Sequence, residues 1–213
     1  KTHFYLYYSN SGYGTGVLTS TSPVGPWTSP LDSSIVDAKT PGLGDCTVPF
    51  DPGVVIDDEG NGWLAFGAGK ARLARLGKDM LSFDSPFVVL PASHHFEANE
   101  LNYINGKYVF SYSGGWNCNA SAWSGYEGKN GYGCPGNCSI LYMVADDPMN
   151  GPWTYKGEML KNPGTFGYPW GNNHSHLQKF GDNYYMTYHT QYLESKLGLS
   201  GGYRCISINK ATV

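Results

Sequence analysis

Four segments of the chain alternate large apolar residues with small or polar ones. They are HFYLYYS (3–9), GWLAFG (62–67), KYVFSYS (107–113) and NYYMTYH (183–189). A period of two predicts half-buried β-strands rather than helices. The last three segments each follow a turn sequence and an earlier strand-like stretch, which predicts an antiparallel hairpin at each place.

A second motif repeats between these segments, as TSTSPVGPWT (19–28) and ADDPMNGPWT (145–154). Hairpins that recur along the chain, with a similar Gly-Pro-Trp-Thr motif recurring between them, predict small antiparallel sheets arranged as an all-β propeller. About four blades are represented, and we expect one domain over residues 1–213. A Greek-key sandwich with unrelated hairpins is the alternative fold. Only residues 71–80 could form a helical turn, and they fit a strand equally well.

Composition narrows the classes of partner. Of the 213 residues 15% are charged, and the net charge is −3 without a basic block, so we do not expect a nucleic-acid partner. No apolar run reaches the length of about 18 residues that a membrane span needs. We therefore expect a protein that does not cross a membrane. We also expect a monomer.

Three of the five cysteines, Cys118, Cys134 and Cys138, lie in a loop rich in Gly, Asn and Ser. Their spacing does not match a paired zinc motif, so a disulfide that closes a surface loop is favoured over free thiols. Asn-x-Ser sequons at Asn119 and Asn137 agree with a secreted, extracellular glycoprotein.

The repeat register identifies candidate site residues. Stepping back twelve positions from equivalent residues in the returning strands reaches Asp51, Glu97 and Asn173, the last beside His174. Because first strands line the central channel of a propeller, these side chains are expected to converge on one pocket. Each carboxylate has an aromatic neighbour, Phe50 in the case of Asp51, and burial raises a carboxyl pKa as acid catalysis near neutral pH requires.

The stretches FDPGVVIDDEGNGWLAFG, FEANELNYINGKYVFSYS and GNNHSHLQKFGDNYYMTYH resemble glycoside hydrolase family 43, as does SPVGPWT. The resemblance covers nearly the whole chain. It implies a five-bladed β-propeller that removes arabinofuranosyl or xylosyl units from plant polysaccharides with inversion. The final stretch, HTQYLESKLGLSGGYRCISI, resembles members that act on arabinoxylan or arabinan side chains.

The resemblance also implies roles. Glu97 matches the general acid, and Asp51 matches the carboxylate that orients this acid and raises its pKa by like-charge repulsion. His174 matches a histidine on the pocket floor near the channel axis, which in some members contacts a bound calcium ion or its water. The family's general base is an aspartate on the first strand of the first blade. We expect that strand, and the closing C-terminal part, to be missing from this chain.

Other residues are candidates for the pocket wall. Arg204 could orient a carboxylate or form a structural ion pair, whereas Glu100 is expected on the opposite strand face, as a solvated or a wall residue. Zinc bound by three histidines of one hairpin is a weaker alternative to a neutral pocket histidine held by hydrogen bonds, because no acidic or cysteine partner is suitably spaced. Aromatic rings could stack on sugar or only pack their loops. The expected substrate-binding residues are His174, Asn173, Arg204, Trp116, Trp170 and Phe50.

These features predict a secreted α-L-arabinofuranosidase whose partner is a plant cell-wall polysaccharide or oligosaccharide. A β-xylosidase would use the same machinery in a differently shaped pocket. A non-catalytic carbohydrate-binding propeller also stays open, because the base is expected to be missing. A structural fragment without activity is the weakest alternative.

Overall fold

The computed structural model describes residues 3–11 and 13–213, which form four separate antiparallel sheets. In each sheet the strands follow one another in chain order, as in the blades of a propeller. The first blade contains β1 (Phe4–Ser9), β2 (Gly14–Ser20) and β3 (Val36–Asp37), and the second contains β4 (Gly53–Ile56), β5 (Gly62–Phe66), β6 (Arg72–Arg75) and β7 (Val88–Val89). The third contains β8 (His95–Ile104), β9 (Lys107–Gly114), β10 (Ile140–Ala145) and β11 (Thr154–Leu160), and the fourth contains β12 (Ser175–Phe180), β13 (Asn183–Thr190) and β14 (Cys205–Ala211).

Little of the described chain is helical. The helices are α1 (Ala120–Ser124) and α2 (Tyr192–Leu197), with short 3-10 turns at Glu127–Lys129 and Pro163–Phe166. No helix within the described ranges is both long and apolar enough to cross a membrane. Residues 72–75 of the ambiguous segment form a strand rather than a helical turn.

The predicted repeat is confirmed by the strand register. The residues aligned from sequence in the second, third and fourth blades all sit on the returning strand of the inner hairpin, opposite the outgoing strand. Their pairs are Val55 with Trp63, Asn102 with Val109, and Gln178 with Tyr185. Both copies of the Gly-Pro-Trp-Thr motif lie between blade strands and have a cis Gly–Pro bond.

The core lies between consecutive blades. One cluster includes Val36 and Leu64 from the first two blades, and a larger one joins Leu73 to Phe110 between the second and third. A smaller cluster around Leu177 joins the third blade to the fourth. Each blade thus buries its apolar faces against its neighbours, which confirms the all-β propeller and shows that the sandwich alternative is wrong.

The cysteine-rich loop follows β9. Cys118 is bonded to Cys134, with their Cα atoms 6.0 Å apart, and the bond closes the loop that contains α1. Cys138 lies just beyond the loop, is fully buried and is a free thiol.

Candidate active site

Asp51, Glu97 and His174 meet at the centre of the blades, and we refer to them as the channel cluster. One ligand atom from each residue lies within 4.8 Å of the other two. Asp51 precedes β4, Glu97 lies on β8 and His174 precedes β12, so three blades each supply one residue. The convergence expected from the repeat register is therefore found for Asp51, Glu97 and His174. The adjoining cavity of about 240 Å³ is lined by Tyr7, Tyr8, Ser9, Asp51, Pro52, Ala98, Asn99, His174 and Ser175.

Asp51 is held by the blades on either side of its own. Ser9 of the first blade donates its Oγ–H to Asp51 Oδ1 at 2.9 Å, and its Oγ accepts the Asp51 backbone N–H at 2.9 Å. The Ala98 N–H of the third blade donates to Oδ2 at 2.9 Å. The Asp51 backbone has φ of 53°, a left-handed conformation that a non-glycine residue keeps only where its surroundings enforce it. The carboxylate is thus fixed in position before any ligand binds.

The second and third blades approach each other closely beside this carboxylate. A Cβ atom built on Gly53 would lie 2.7 Å from Glu100 Cα and 2.8 Å from the carbonyl oxygen of Asn99. No residue larger than glycine fits there without a backbone shift. This close approach brings the segment that carries Asp51 next to the strand that carries Glu97.

Glu97 accepts two hydrogen bonds on one oxygen. His174 Nε2 lies 3.2 Å from Glu97 Oε1, and Asn172 donates its Nδ2–H to the same oxygen at 2.9 Å. The hydrogen bond from His174 lowers the pKa of Glu97, and burial, which acts the other way, does not cancel it. The expectation of a raised pKa is therefore wrong for this state, because donors that favour the ionised form outweigh burial and the expected repulsion from Asp51.

Arg204 reaches Glu97 through an intermediate residue. Its Nη2 donates to Asn172 Oδ1 at 2.5 Å, which turns the amide so that Nδ2 faces Glu97. Arg204 therefore orients a carboxylate, as one of the two sequence alternatives held, but it does so indirectly. Sequence reasoning missed Asn172. Its position two residues before His174 was the available signal, because alternate residues of an extended segment share one side.

Asn173 does not face the pocket. Its side chain has no exposed surface, and neither amide atom has a hydrogen-bond partner within the described part of the chain. Its backbone lies against the buried thiol of Cys138 instead. The prediction of a substrate contact at Asn173 is wrong, because Asn172 and His174 lie on the site side of this segment and the residue between them points away.

The candidate aromatic residues lie outside the cavity. Phe50 is half-buried, and neither it nor either tryptophan lines the cavity. The Trp170 ring covers the Gly164 backbone, where a Cβ would lie 2.2 Å from the ring, so packing of its own loop is one of its roles. Trp116 and Trp170 are 39% and 52% exposed, which leaves part of each ring free for a ligand.

The remaining histidines do not form a zinc site in the described residues. His189 Nε2 accepts the backbone N–H of His174 at 3.2 Å, and burial lowers the pKa of His189 to about 4, so this ring is neutral at neutral pH. His176 Nδ1 lies 2.7 Å from Glu100 Oε1. The expectation that Glu100 is solvated is therefore wrong, since its side chain is only 15% exposed and pairs with the fourth blade.

The channel cluster is the group that could hold a cation. Two carboxylates supply the oxygen ligands that calcium prefers, and calcium completes its six to eight ligands with water where protein oxygens are few. Both Asp51 oxygens and Glu97 Oε1 already accept protein hydrogen bonds, so few oxygens are left for direct contact. The donor set therefore fits a hydrated hard cation better than zinc, which prefers a closed set of nitrogen and sulfur ligands.

Four blades packed around a channel, with Asp51, Glu97 and His174 from three separate blades meeting at its centre, define a β-propeller with a polar central site. The chain matches the profile of Glycosyl hydrolases family 43 over residues 1–194, and it belongs to this family. The solved structures that it resembles are five-bladed propellers, and four blades lie within the described ranges of this chain.

Two curated relatives are named arabinoxylan arabinofuranohydrolase. The protein of Paenibacillus polymyxa is 39% identical over 99% of this chain and 34% of its own length. The protein of Bacillus subtilis (strain 168) is 38% identical over 99% of this chain and 42% of its own length. A crystal structure of a family 43 arabinoxylan arabinofuranohydrolase from Bacillus subtilis, in complex with cellotetraose, is 37% identical with a TM-score of 0.85, over 98% of this chain and 44% of that one. The chain thus spans between about a third and two fifths of the length of these curated relatives.

Proposed function

We propose that this chain forms the greater part of the catalytic propeller of an α-L-arabinofuranosidase that releases arabinofuranosyl side groups from arabinoxylan or arabinan. The observation that carries the proposal is the channel cluster, in which Asp51, Glu97 and His174 converge from three blades. The names of the relatives at 38% and 39% identity support the choice of sugar. Plant cell-wall polysaccharide is the proposed partner.

Glu97 is the proposed general acid, which gives its proton to the departing glycosidic oxygen. Asp51 orients it and is not the base. An inverting pair of carboxyl groups lies about 6.5–9.5 Å apart so that water fits between them. The ligand atoms of Asp51 and Glu97 lie within 4.8 Å, which leaves too little room. The base must therefore come from another carboxylate facing the channel, and β1 (Phe4–Ser9) carries none.

Inversion can be tested from the first product formed. Proton NMR during hydrolysis by the full-length protein is expected to show β-L-arabinofuranose first. Initial release of the α-anomer would instead indicate retention, in which a second carboxyl group close to the acid acts as nucleophile, and Asp51 would become the candidate for that role.

The decisive test of the function is Glu97→Gln in the full-length protein. We expect release of arabinose from arabinoxylan to fall by about 10²–10⁴-fold, since a single general acid contributes that much. Glu100→Gln is the matched control, a carboxylate three residues along the same strand that lies outside the channel cluster and pairs with His176. Unchanged release by Glu97→Gln would contradict the acid role.

A sugar panel separates the alternative functions. An arabinofuranosidase hydrolyses 4-nitrophenyl α-L-arabinofuranoside, whereas a β-xylosidase prefers 4-nitrophenyl β-D-xylopyranoside. A non-catalytic propeller would bind arabinoxylan fragments in calorimetry and release no sugar from any substrate. Each outcome excludes the other two functions for the full-length protein.

Calcium is the proposed cation of the channel, contacted by His174 through water and not coordinated by Glu97, which must stay free to carry a proton. When bound it would supply positive charge that screens the two carboxylates from each other. Titration of the metal-free protein with calcium chloride is expected to raise its melting temperature, and His174→Ala is expected to weaken this response. An unchanged melting temperature at millimolar calcium would contradict the proposal.

Secretion is proposed from the cysteine loop and the sequons. A disulfide such as Cys118–Cys134 persists in oxidising compartments. The Asn119 side chain caps α1 by accepting the Ala122 N–H at 3.0 Å through its Oδ1. Its amide nitrogen, the atom that would carry a glycan, is not used in this cap. Mass spectrometry of the protein from its natural source is expected to find the disulfide and to show whether either sequon is modified.

A further inference from the structure

Strand β8 contains a bulge immediately after Glu97. Its pairing with β9 shifts between His95 and Glu97 and again between Glu97 and Glu100, and Ala98 has a left-handed φ of 60°. Ala98 and Asn99 therefore have no place in the regular ladder. Both are directed to the second blade, where Ala98 N–H binds the Asp51 carboxylate and the Asn99 side chain binds the backbone beside it.

Both polar atoms of the Asn99 amide make hydrogen bonds, and only 5% of the residue is exposed. Its Nδ2 donates to the carbonyl oxygens of Asp51 and Gly67, both at 2.9 Å. Two carbonyl acceptors can be satisfied only by the amide nitrogen, so Oδ1 must face the other way. There it meets His95 Nε2 at 2.8 Å, which must be the protonated nitrogen of that ring. His95 Nδ1 is buried and has no partner within the described residues.

We propose that Asn99, with its amide oriented by His95, is a positioning residue that sets the separation of Asp51 and Glu97. The inference rests on the proposed function. Asn99 lies two residues after Glu97 on β8, and it holds the carbonyl of Asp51 itself. The amide therefore ties the segment of one carboxylate to the strand of the other, across the boundary between the second and third blades.

The chemistry of the bound groups explains why an amide is needed. The carbonyls of Asp51 and Gly67 are acceptors and His95 presents an N–H, so the side chain between them must donate twice and accept once. Asparagine does this without charge, whereas aspartate would place a carboxylate against two carbonyl oxygens. Loss of the amide leaves the two carbonyl oxygens and the His95 N–H without this partner and frees the bulge beside Glu97 to move. A displacement of about 1 Å in a reacting group can lower the rate by about 10²-fold.

The test compares Asn99→Ala with wild type in the full-length protein on two substrates. Arabinoxylan has a poor leaving group and needs the acid, whereas 4-nitrophenyl α-L-arabinofuranoside has an activated one and needs it less. We expect kcat on arabinoxylan to fall by about 10–100-fold, with KM within about threefold and a much smaller loss on the nitrophenyl substrate. Asn102→Ala is the matched control, an asparagine of the same strand whose side chain makes one hydrogen bond within the described residues, to Glu100.

A second pair of variants keeps the test valid if Asn99→Ala does not fold. His95→Phe removes the donor to the amide and suits a position stacked near Phe110 and Tyr112, whereas His95→Gln keeps an N–H in reach. We expect His95→Phe to reproduce the loss on arabinoxylan and His95→Gln to restore most of it. Equal losses on both substrates would assign Asn99 a merely structural role and overturn the inference.

Unchanged kinetics in Asn99→Ala and His95→Phe, with an active wild type, would also overturn this inference and leave the proposed function intact. A wild-type protein that releases no arabinose would refute the proposed function, and the inference with it. Melting curves of each variant show whether a loss of rate follows a loss of folded protein.

Discussion

A buried carboxylate that is not part of the channel cluster stabilises the junction of the second and third blades. Asp57 lies in the turn between β4 and β5 and is 8% exposed. Its Oδ2 accepts the Trp63 Nε1–H at 2.9 Å and the Tyr108 hydroxyl at 2.6 Å, the latter from the third blade. Its Oδ1 accepts the backbone N–H groups of Glu59 and Asn61. We predict that Asp57→Asn weakens this junction substantially.

The size of the effect follows from the pKa of Asp57. Burial alone would raise it, but hydrogen bonds from Tyr108, Trp63 and Asn61 outweigh burial and lower it from 3.8 to about 2. That difference corresponds to about 2 kcal/mol of stability at neutral pH. In Asp57→Asn one acceptor becomes an N–H group, and a buried donor left without a partner costs about 1–3 kcal/mol. We therefore expect the variant to lose about 2–4 kcal/mol of its free energy of unfolding.

Urea unfolding at pH 7 and at pH 3, followed by far-ultraviolet circular dichroism, measures this loss. Asp58→Asn is the matched control, because the neighbouring side chain is exposed. The contribution of a carboxyl with a lowered pKa is present above pH 3.8 and disappears as pH falls toward 2. The gap between wild type and Asp57→Asn should therefore narrow at pH 3. A gap below about 0.5 kcal/mol at pH 7, the size of an ordinary surface substitution, would refute the reasoning.

Two further predictions concern the blade boundaries around the channel. Gly53→Ala should lower the free energy of unfolding by about 1–3 kcal/mol, because the new Cβ would lie 2.7 Å from Glu100 Cα. Gly133→Ala is the control, since a Cβ there meets nothing within 4 Å. Equal melting temperatures of the two variants in thermal unfolding would contradict this prediction. The hydrogen bond to Glu100 raises the pKa of His176, although burial acts in the other direction. The ion pair of His176 and Glu100 therefore stabilises the protein fully below the ordinary histidine pKa of 6.5, and this stabilisation is lost as the pH rises through the raised pKa. Since His176 is half-exposed, Glu100→Gln should cost only about 0.5–1 kcal/mol at pH 5.5 and less at pH 8.5, and an equal cost at both would count against the pair.

The blades were predictable because alternation is a local property of each strand. Every hairpin expected from the sequence is present, since large apolar residues that alternate with smaller ones favour a strand over a helix. The loops between blades carry no such period. For this reason the link from Arg204 through Asn172 to Glu97, which depends on how a loop returns to the channel, had no sequence signal of comparable strength.

Counting twelve residues back from the reference residue of each returning strand reached two of the three members of the channel cluster, Asp51 and Glu97. This success depended on loop and bulge lengths that the sequence does not reveal. Asp51 and His174 each lie four residues before the outgoing-strand residue that pairs with the reference residue, Val55 and Gln178 respectively. Glu97 lies five residues before its equivalent, Asn102, because the bulge in β8 adds one residue. The paired reference residues Val55 and Trp63 of the second blade are eight positions apart, one more than the corresponding pairs of the third and fourth blades, which restores the offset there. The fourth blade has neither addition, so the count reached buried Asn173 instead of His174.

The direction of the Glu97 pKa shift constrains how this residue can act as an acid. Both of its donors, His174 and Asn172, bind Oε1, and Oε2 has no protein partner within the described ranges. Donors on one oxygen stabilise the ionised carboxylate, yet they also leave the other oxygen as the place where a proton can sit. A proton on Oε2 costs neither hydrogen bond, so the side chain keeps its orientation in both ionisation states. The arrangement therefore lowers the fraction of protonated acid at neutral pH and in return fixes which oxygen of Glu97 presents the proton to the leaving group.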